Sequence, residues 1–236
     1  MTKSTTGKID PAFAKMPSFT LKNNRWLLRF LSFLISATRV FYRWSTSIVA
    51  TTHWLQGRDN NRIKIIEIAP KRLTGDAPAI IYYHGGGFFM SYGRLHLKLM
   101  ESYAQKLQVR VFFVEYRLST QQPFPGPFND CLSALDWVYD NAESLNVNRD
   151  RIAVMGDSAG GCLAAAVSQH TYDANQQRQK PQTIRAQLLI YPALDCDSKT
   201  VSAQSFEETP VWNAANNKVM WQVYLGASHD PNSSAP

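Results

Sequence analysis

The chain has 236 residues, enough for one sizeable core or a core plus a lid. With 44% hydrophobic and 18% charged residues it has the make-up of a folded globular protein, which excludes a disordered chain. The formal charge of +7 is carried in part by arginines beside apolar runs, with no basic patch of exposed aromatics, which argues against nucleic acid as a partner.

In chain order, the first patterned stretch is residues 25 to 43. At about 3.6 residues per turn, Arg25, Arg29, Arg39 and Arg43 share a narrow stripe with Ser32 and Ser36. The rest of that helix is apolar, with Trp26, Leu27, Leu28, Phe30, Leu31, Phe33, Leu34, Ile35, Val40 and Phe41. Such a helix can cover an apolar pocket as a lid, or lie in a lipid interface with its arginines at the headgroups. The charges break the run well short of the roughly 18 consecutive apolar residues of a spanning helix. The stretch also starts too far in, and lacks the small-residue cleavage site, for a standard secretory signal.

Ile63 to Ile68 mixes apolar and polar residues like an outer strand, and Pro70 to Pro78 is a turn-rich connection. The short apolar runs Ala79 to Tyr83, Val109 to Val114, Ile152 to Met155 and Ala186 to Ile190 are separated by helical stretches such as Leu95 to Leu107 and Asn129 to Ala142. This alternation predicts an α/β fold, a mostly parallel sheet with helices on both faces. Gln176 to Pro181 is a polar loop without an assigned role. Cys131, Cys162 and Cys196 lack metal-type spacing and are odd in number, so free thiols in a reducing, cytoplasmic compartment and no metal site are expected.

Two motifs sit on this framework. The run Ala79 to Tyr83 stops at His84-Gly85-Gly86-Gly87-Phe88-Phe89, where glycines free backbone N–H groups to point at a developing oxyanion. A preorganised donor of that kind is worth about 3 kcal/mol in a transition state. The run Ile152 to Met155 leads into Gly156-Asp157-Ser158-Ala159-Gly160-Gly161 and then the helical Cys162 to Val167. Strand, sharp turn and helix make a nucleophile elbow, with Ser158 as candidate nucleophile and glycines two residues either side so that strand and helix can approach. A lone G-x-S-x-G arises often by chance; the glycine loop upstream, in the right chain order, is the second signal.

On these residues the chain resembles the hormone-sensitive-lipase-like branch of the α/β-hydrolases, the bacterial esterase and lipase group with an HGGG loop and a GDSAGG elbow. Tyr116-Arg117-Leu118, Pro123-Phe124-Pro125, Asn129-Asp130 and Leu188-Leu189-Ile190-Tyr191-Pro192 extend the likeness over residues 60 to 236. The resemblance implies an α/β-hydrolase fold and serine carboxylester hydrolysis of small-molecule esters with short to medium acyl chains, without a cofactor. It implies that Gly86, Gly87 and Ala159 donate to the oxyanion, and that His84 orients the loop, within the motif residues Gly85, Gly156, Asp157 and Gly160. It further implies a cap built from the N-terminal segment, residues 1–58, and a second piece at about 200–226, over a core of residues 59–236. The family's Ala-Pro-Glu after Tyr-Arg-Leu is replaced by Ser119-Thr120-Gln121, which puts a local salt bridge in doubt.

A serine hydroxyl needs a base and a carboxylate, in the chain order serine, acid, histidine for this fold. The family's DPL-type acid turn and HGF-like histidine loop do not occur, and the chain reads as an α/β-hydrolase that ends early, lacking the last strands, with Leu188 to Ile190 as an uncovered edge. Of the histidines His229 alone keeps the required order, and Asp195, after the Tyr191-Pro192 strand, lies where some α/β-hydrolases carry their acid. An improvised triad of Ser158, Asp195 and His229 stands against a blander reading, in which Asp195 serves a strand-end turn and His229 an exposed loop. A non-catalytic remnant or membrane-associated binding protein of the same fold is the other reading, with residues 25–43 as the peripheral membrane contact. Nothing in the pattern sets an oligomeric state.

Overall fold

A computed structural model describes residues 10–13, 15–179, 181–205 and 209–226. After a helix α1 (Arg25–Ala37) and a single 3₁₀ turn (Thr38–Phe41), the chain forms β1 (Ile48–Gln56), β2 (Arg62–Pro70), β3 (Ala77–Tyr83), α2 (Arg94–Leu107), β4 (Arg110–Glu115), α3 (Gly126–Asp140), β5 (Val147–Asp157), α4 (Ala159–Asn175), β6 (Ile184–Ile190), α5 (Val201–Ser205) and α6 (Ala214–Leu225). The six strands make one sheet in the order β1-β2-β4-β3-β5-β6. β1 and β2, and β2 and β4, are antiparallel; the other pairings are parallel.

Strand alternation sends neighbouring side chains to opposite faces. Ile80, Tyr82, Val111 and Phe113 meet Leu97, Met100 and Ala104 of α2 on one face. Ile81, Tyr83, Phe112 and Val114 meet Cys131, Leu135 and Val138 of α3 and Leu163 and Val167 of α4 on the other. Cys131 and Cys162 are part of that core, and burial pushes the Cys162 thiol up to about 12, so it is packing rather than a reactive group.

One expectation needs correction. Residues 63–68 are not outermost: Ile48–Gln56, inside the stretch expected to be cap, pairs along β2 and becomes the edge strand. In its polar middle Thr51 and Thr52 are exposed and His53 is half-buried against Glu67, so the strand lacks the apolar signature of a core strand. The polar stripe of α1 is turned largely toward the protein body. Arg25 and Arg29 donate to the Thr120 carbonyl, at 2.6 and 3.0 Å, and Ser32 Oγ accepts from the Ser91 N–H at 2.9 Å. Arg39 lies over the Tyr92 ring and 3.7 Å from Glu115. These partners belong to the protein body and draw Arg25, Arg29, Ser32 and Arg39 toward it, leaving Trp26, Phe30 and Phe33 facing out.

Candidate active site

Ser158 sits between β5 and α4 with φ 52° and ψ −119°, a region that costs a non-glycine residue about 1–3 kcal/mol. The turn is held from both sides: the Ser158 N–H donates to the Ile190 carbonyl at 2.9 Å, and the Ser158 carbonyl accepts from Cys162 and Ala193 N–H at 3.1 and 3.2 Å. Close approach explains the flanking glycines. A Cβ on Gly160 would stand 2.0 Å from the Tyr83 carbonyl oxygen, and one on Gly156 would stand 2.1 Å from that of Gly160. Only glycine allows β3, β5 and α4 to converge here.

The same convergence sets the glycine loop, which leaves the end of β3, beside the elbow. Asp157 Oδ1 accepts from the Gly85 N–H at 3.0 Å and from the Tyr82 hydroxyl, so the residue before the nucleophile is tied to the loop. Gly86 and Gly87 have φ of 122° and 58°. Among the described residues, no hydrogen bond engages the N–H of Gly86, Gly87 or Ala159. His84 is buried, stacked on Tyr116 with ring centroids 4.4 Å apart, and its Nδ1 lies 2.7 Å from the Gly85 carbonyl. A carbonyl only accepts, so Nδ1 carries the proton. Burial holds the imidazole down to about 3, against the opposing pull of the Gly85 carbonyl, and His84 is neutral at physiological pH. The Tyr116 hydroxyl in turn donates to the His84 carbonyl at 2.6 Å.

The loop is roofed from the C-terminal side of the sequence. Phe88 stacks on Tyr224 of α6 with centroids 3.8 Å apart, and Trp221 is 5.7 Å away. The N-terminal segment joins the same roof, because Asn216 Oδ1 accepts from the Leu21 N–H at 2.7 Å and its Nδ2 donates to the Phe19 carbonyl at 2.9 Å. Beside Ser119-Thr120-Gln121, Arg117 grips Asp130 through Nε and Nη2, at 2.9 and 2.7 Å, and reaches Asp59 at 2.6 Å.

No imidazole or carboxylate is hydrogen-bonded to the Ser158 hydroxyl among the described residues. His53 pairs with Glu67 at 2.8 Å, and His170 packs its ring 5.7 Å from Phe128. His96 accepts from the Gly93 N–H on Nδ1 and turns Nε2 toward Asp157 at 3.9 Å; burial lowers its pKa. Asp195 Oδ1 accepts from the Asp197 N–H at 2.9 Å, a strand-end turn. His229 lies outside the described residues. Sequence reasoning missed the parts played by Tyr82 and His96, whose only signal was membership of an apolar run or a helix, and it marked Tyr116 only as part of a family segment, without its bond to His84.

A serine on a strained strand-to-helix turn beside a glycine loop defines a class of fold as much as a site. A profile of the family described as alpha/beta hydrolase fold matches residues 80–235, and the chain belongs to that family. It is 31% identical over 161 residues to esterase LipI of Mycobacterium tuberculosis, covering 68% of this chain and 49% of that protein. It is 34% identical over 152 residues to an ethyl acetate hydrolase of Pseudomonas putida, covering 64% and 46%. The solved structure of a bacterial heroin esterase superposes with a TM-score of 0.82 at 31% identity, over 98% of this chain and 74% of that one. The chain thus spans about half the length of the curated relatives it matches. The resemblance to the esterase branch holds, and no described helix is long and apolar enough to cross a membrane.

Proposed function

We propose that this protein is a serine carboxylester hydrolase for small-molecule esters of short to medium acyl chain. Ser158 Oγ attacks the ester carbonyl, the N–H groups of Gly86, Gly87 and Ala159 receive the oxyanion, the alcohol leaves, and water releases the acyl group from Ser158. Residues before β1 and residues 200–226 form the cap, and the outward apolar side of residues 25–43 makes a peripheral membrane contact of a cytoplasmic protein. The observation that carries the catalytic reading is Ser158 held at positive φ next to a loop in which the N–H groups of Gly86 and Gly87 have no acceptor among the described residues. The esterase names of the relatives support it.

The test is hydrolysis of p-nitrophenyl butyrate by the 236-residue chain and its Ser158→Ala variant. The expected result is turnover that the variant reduces at least about 100-fold, since removing a nucleophile removes the covalent route. That result brings Asp195 and His229 forward as acid and base. A second reading, a non-catalytic chain, is favoured by the absence of a base on Ser158 among the described residues. It is correct if the two proteins turn over alike, at about 10³ over water from oxyanion stabilisation and binding alone.

A further inference from the structure

Beneath α1 lies a cleft of about 620 Å³, walled by that helix, parts of β1 and β2, the end of β4, the turn at residues 116–121, and His84 and Ser91 at either end of the glycine-loop segment; Ser158 does not line it. Its charged lining is Arg29 and Arg39 from the helix side, Arg62 and Lys64 from β2, Arg117, and a single carboxylate, Glu115. Arg117 is committed to Asp130 and Asp59, at 2.7 and 2.6 Å. Glu115 is shared by Lys64 at 3.3 Å and Arg39 at 3.7 Å, so these three groups leave one positive charge. Arg29 spends one donor on the Thr120 carbonyl, and Arg62 lies over the Trp54 ring at 4.6 Å. Among the described residues neither guanidinium meets a carboxylate, which adds two positive charges; with the second carboxylate on Arg117 counted, the net excess around the cleft is two.

The steps proposed for Ser158 call on backbone N–H groups and use none of these side-chain cations. Cations gathered in a cleft with low-dielectric walls focus a positive potential and attract an anion. A guanidinium offers five N–H donors in a planar fork suited to phosphate or carboxylate oxygens, and most of the donors of Arg29 and Arg62 are unspent. Charge decides between the two anions. A phosphate monoester carries about −1.5 to −2 at neutral pH and three acceptor oxygens, which matches the excess, whereas a carboxylate would leave half of it unmatched. Trp54 and Phe33, 54% and 64% exposed, add aromatic surface to the lining for the organic part of the ligand.

We propose that this cleft is a binding site for a phosphate monoester, held between Arg29 on the helix side and Arg62 on the strand side, with Arg39 and Lys64 supplying the remaining charge. The ligand is either a soluble phosphate ester or the phosphate headgroup of a lipid.

Calorimetric titration of the full chain with phenyl phosphate, with benzoate as the carboxylate comparison, tests the site. The expected result is one saturable site for phenyl phosphate and at least about tenfold weaker binding of benzoate, about 1.4 kcal/mol. Arg29→Gln/Arg62→Gln weakens phenyl phosphate by a similar factor, while Lys106→Gln/Arg151→Gln, which removes the same charge from exposed positions elsewhere, leaves it unchanged. If the first double variant does not fold, Arg62→Gln alone carries the comparison, since that side chain makes no hydrogen bond among the described residues. Flotation with phosphatidylcholine vesicles, with and without phosphatidic acid, separates the sources. Retention that requires phosphatidic acid and is displaced by phenyl phosphate assigns a lipid headgroup; phenyl phosphate binding without it assigns a soluble ester. Absence of saturable phenyl phosphate binding, or an equal loss in the Lys106/Arg151 variant, overturns the site. Turnover of p-nitrophenyl butyrate is read separately, so either proposal can fail alone.

Discussion

His84 shows how one side chain can organise a site without touching the reacting atoms. A charged imidazole in its place would be buried without a carboxylate partner, so the fold keeps it neutral, with a pKa of about 3 against an ordinary 6.5. Between those values the unfolded chain binds a proton that the folded chain refuses, so stability rises with pH across the window and is lost as pH falls from about 6.5 toward 3. The slope reaches about 1.4 kcal/mol per pH unit for one group. His96, lowered by burial, acts in the same sense. Asp136 and Glu101 are held low by hydrogen-bond partners despite burial, and their protonation destabilises only below the ordinary carboxylate range. Urea unfolding between pH 7 and 5 is therefore expected to show falling stability, with a shallower slope in His84→Gln. A wild-type stability flat over that interval would show that the buried imidazole is not neutral. At this scale the motifs were legible because each answers a local steric demand, such as the 2.0 Å that Gly160 leaves beside Tyr83. The bond from Tyr82 to Asp157 was not, because it joins residues 75 apart that share only a strand pairing.

At the scale of elements, α1 marks the limit of periodicity. Spacing reveals two faces but not which one the body will accept, and here the body supplies the Thr120 carbonyl, Glu115 and the Ser91 N–H. β1 was illegible for a related reason: with one side open, its exposed positions have no need to be apolar, and only Ile48 and Leu55 are buried. The inner strands, covered on both faces, read as continuous apolar runs and were placed within a few residues. The outward face of α1 yields a prediction of its own. Trp26 is 77% and Phe30 57% exposed, so Trp26→Ser/Phe30→Ser removes little packing and should leave the melting temperature within about 2 °C. If that face enters a lipid interface, the same variant loses apolar burial worth about 1.5–3 kcal/mol per side chain, and flotation on phosphatidylcholine vesicles should fall at least about tenfold. Equal flotation of variant and parent would remove residues 25–43 from membrane contact.

For the whole molecule, the two borders of the sheet differ in kind. β1 closes one side with threonines and a histidine paired to Glu67, while β6, whose pairing among the described residues is with β5, closes the other. Along β6 the apolar run that made it legible as a strand is half-open, with Leu188 41% exposed and Tyr191, just past its end, 75% exposed. An edge of this kind presents backbone N–H and C=O groups beside apolar side chains and invites a second strand. Arg185 is the single charge within the strand, at its start, where it does little to protect Leu188 to Ile190. The 236-residue chain is therefore expected to associate with increasing concentration in sedimentation velocity, and Leu188→Lys, which sets a charge in the middle of the edge, should shift it toward monomer. Because Leu188 is already substantially exposed, the substitution should cost little stability, and a thermal melt of the variant checks that the shift is not unfolding. A parent chain that stays monomeric across the concentration range would show that the twist of the sheet and its flanking loops protect this border by themselves.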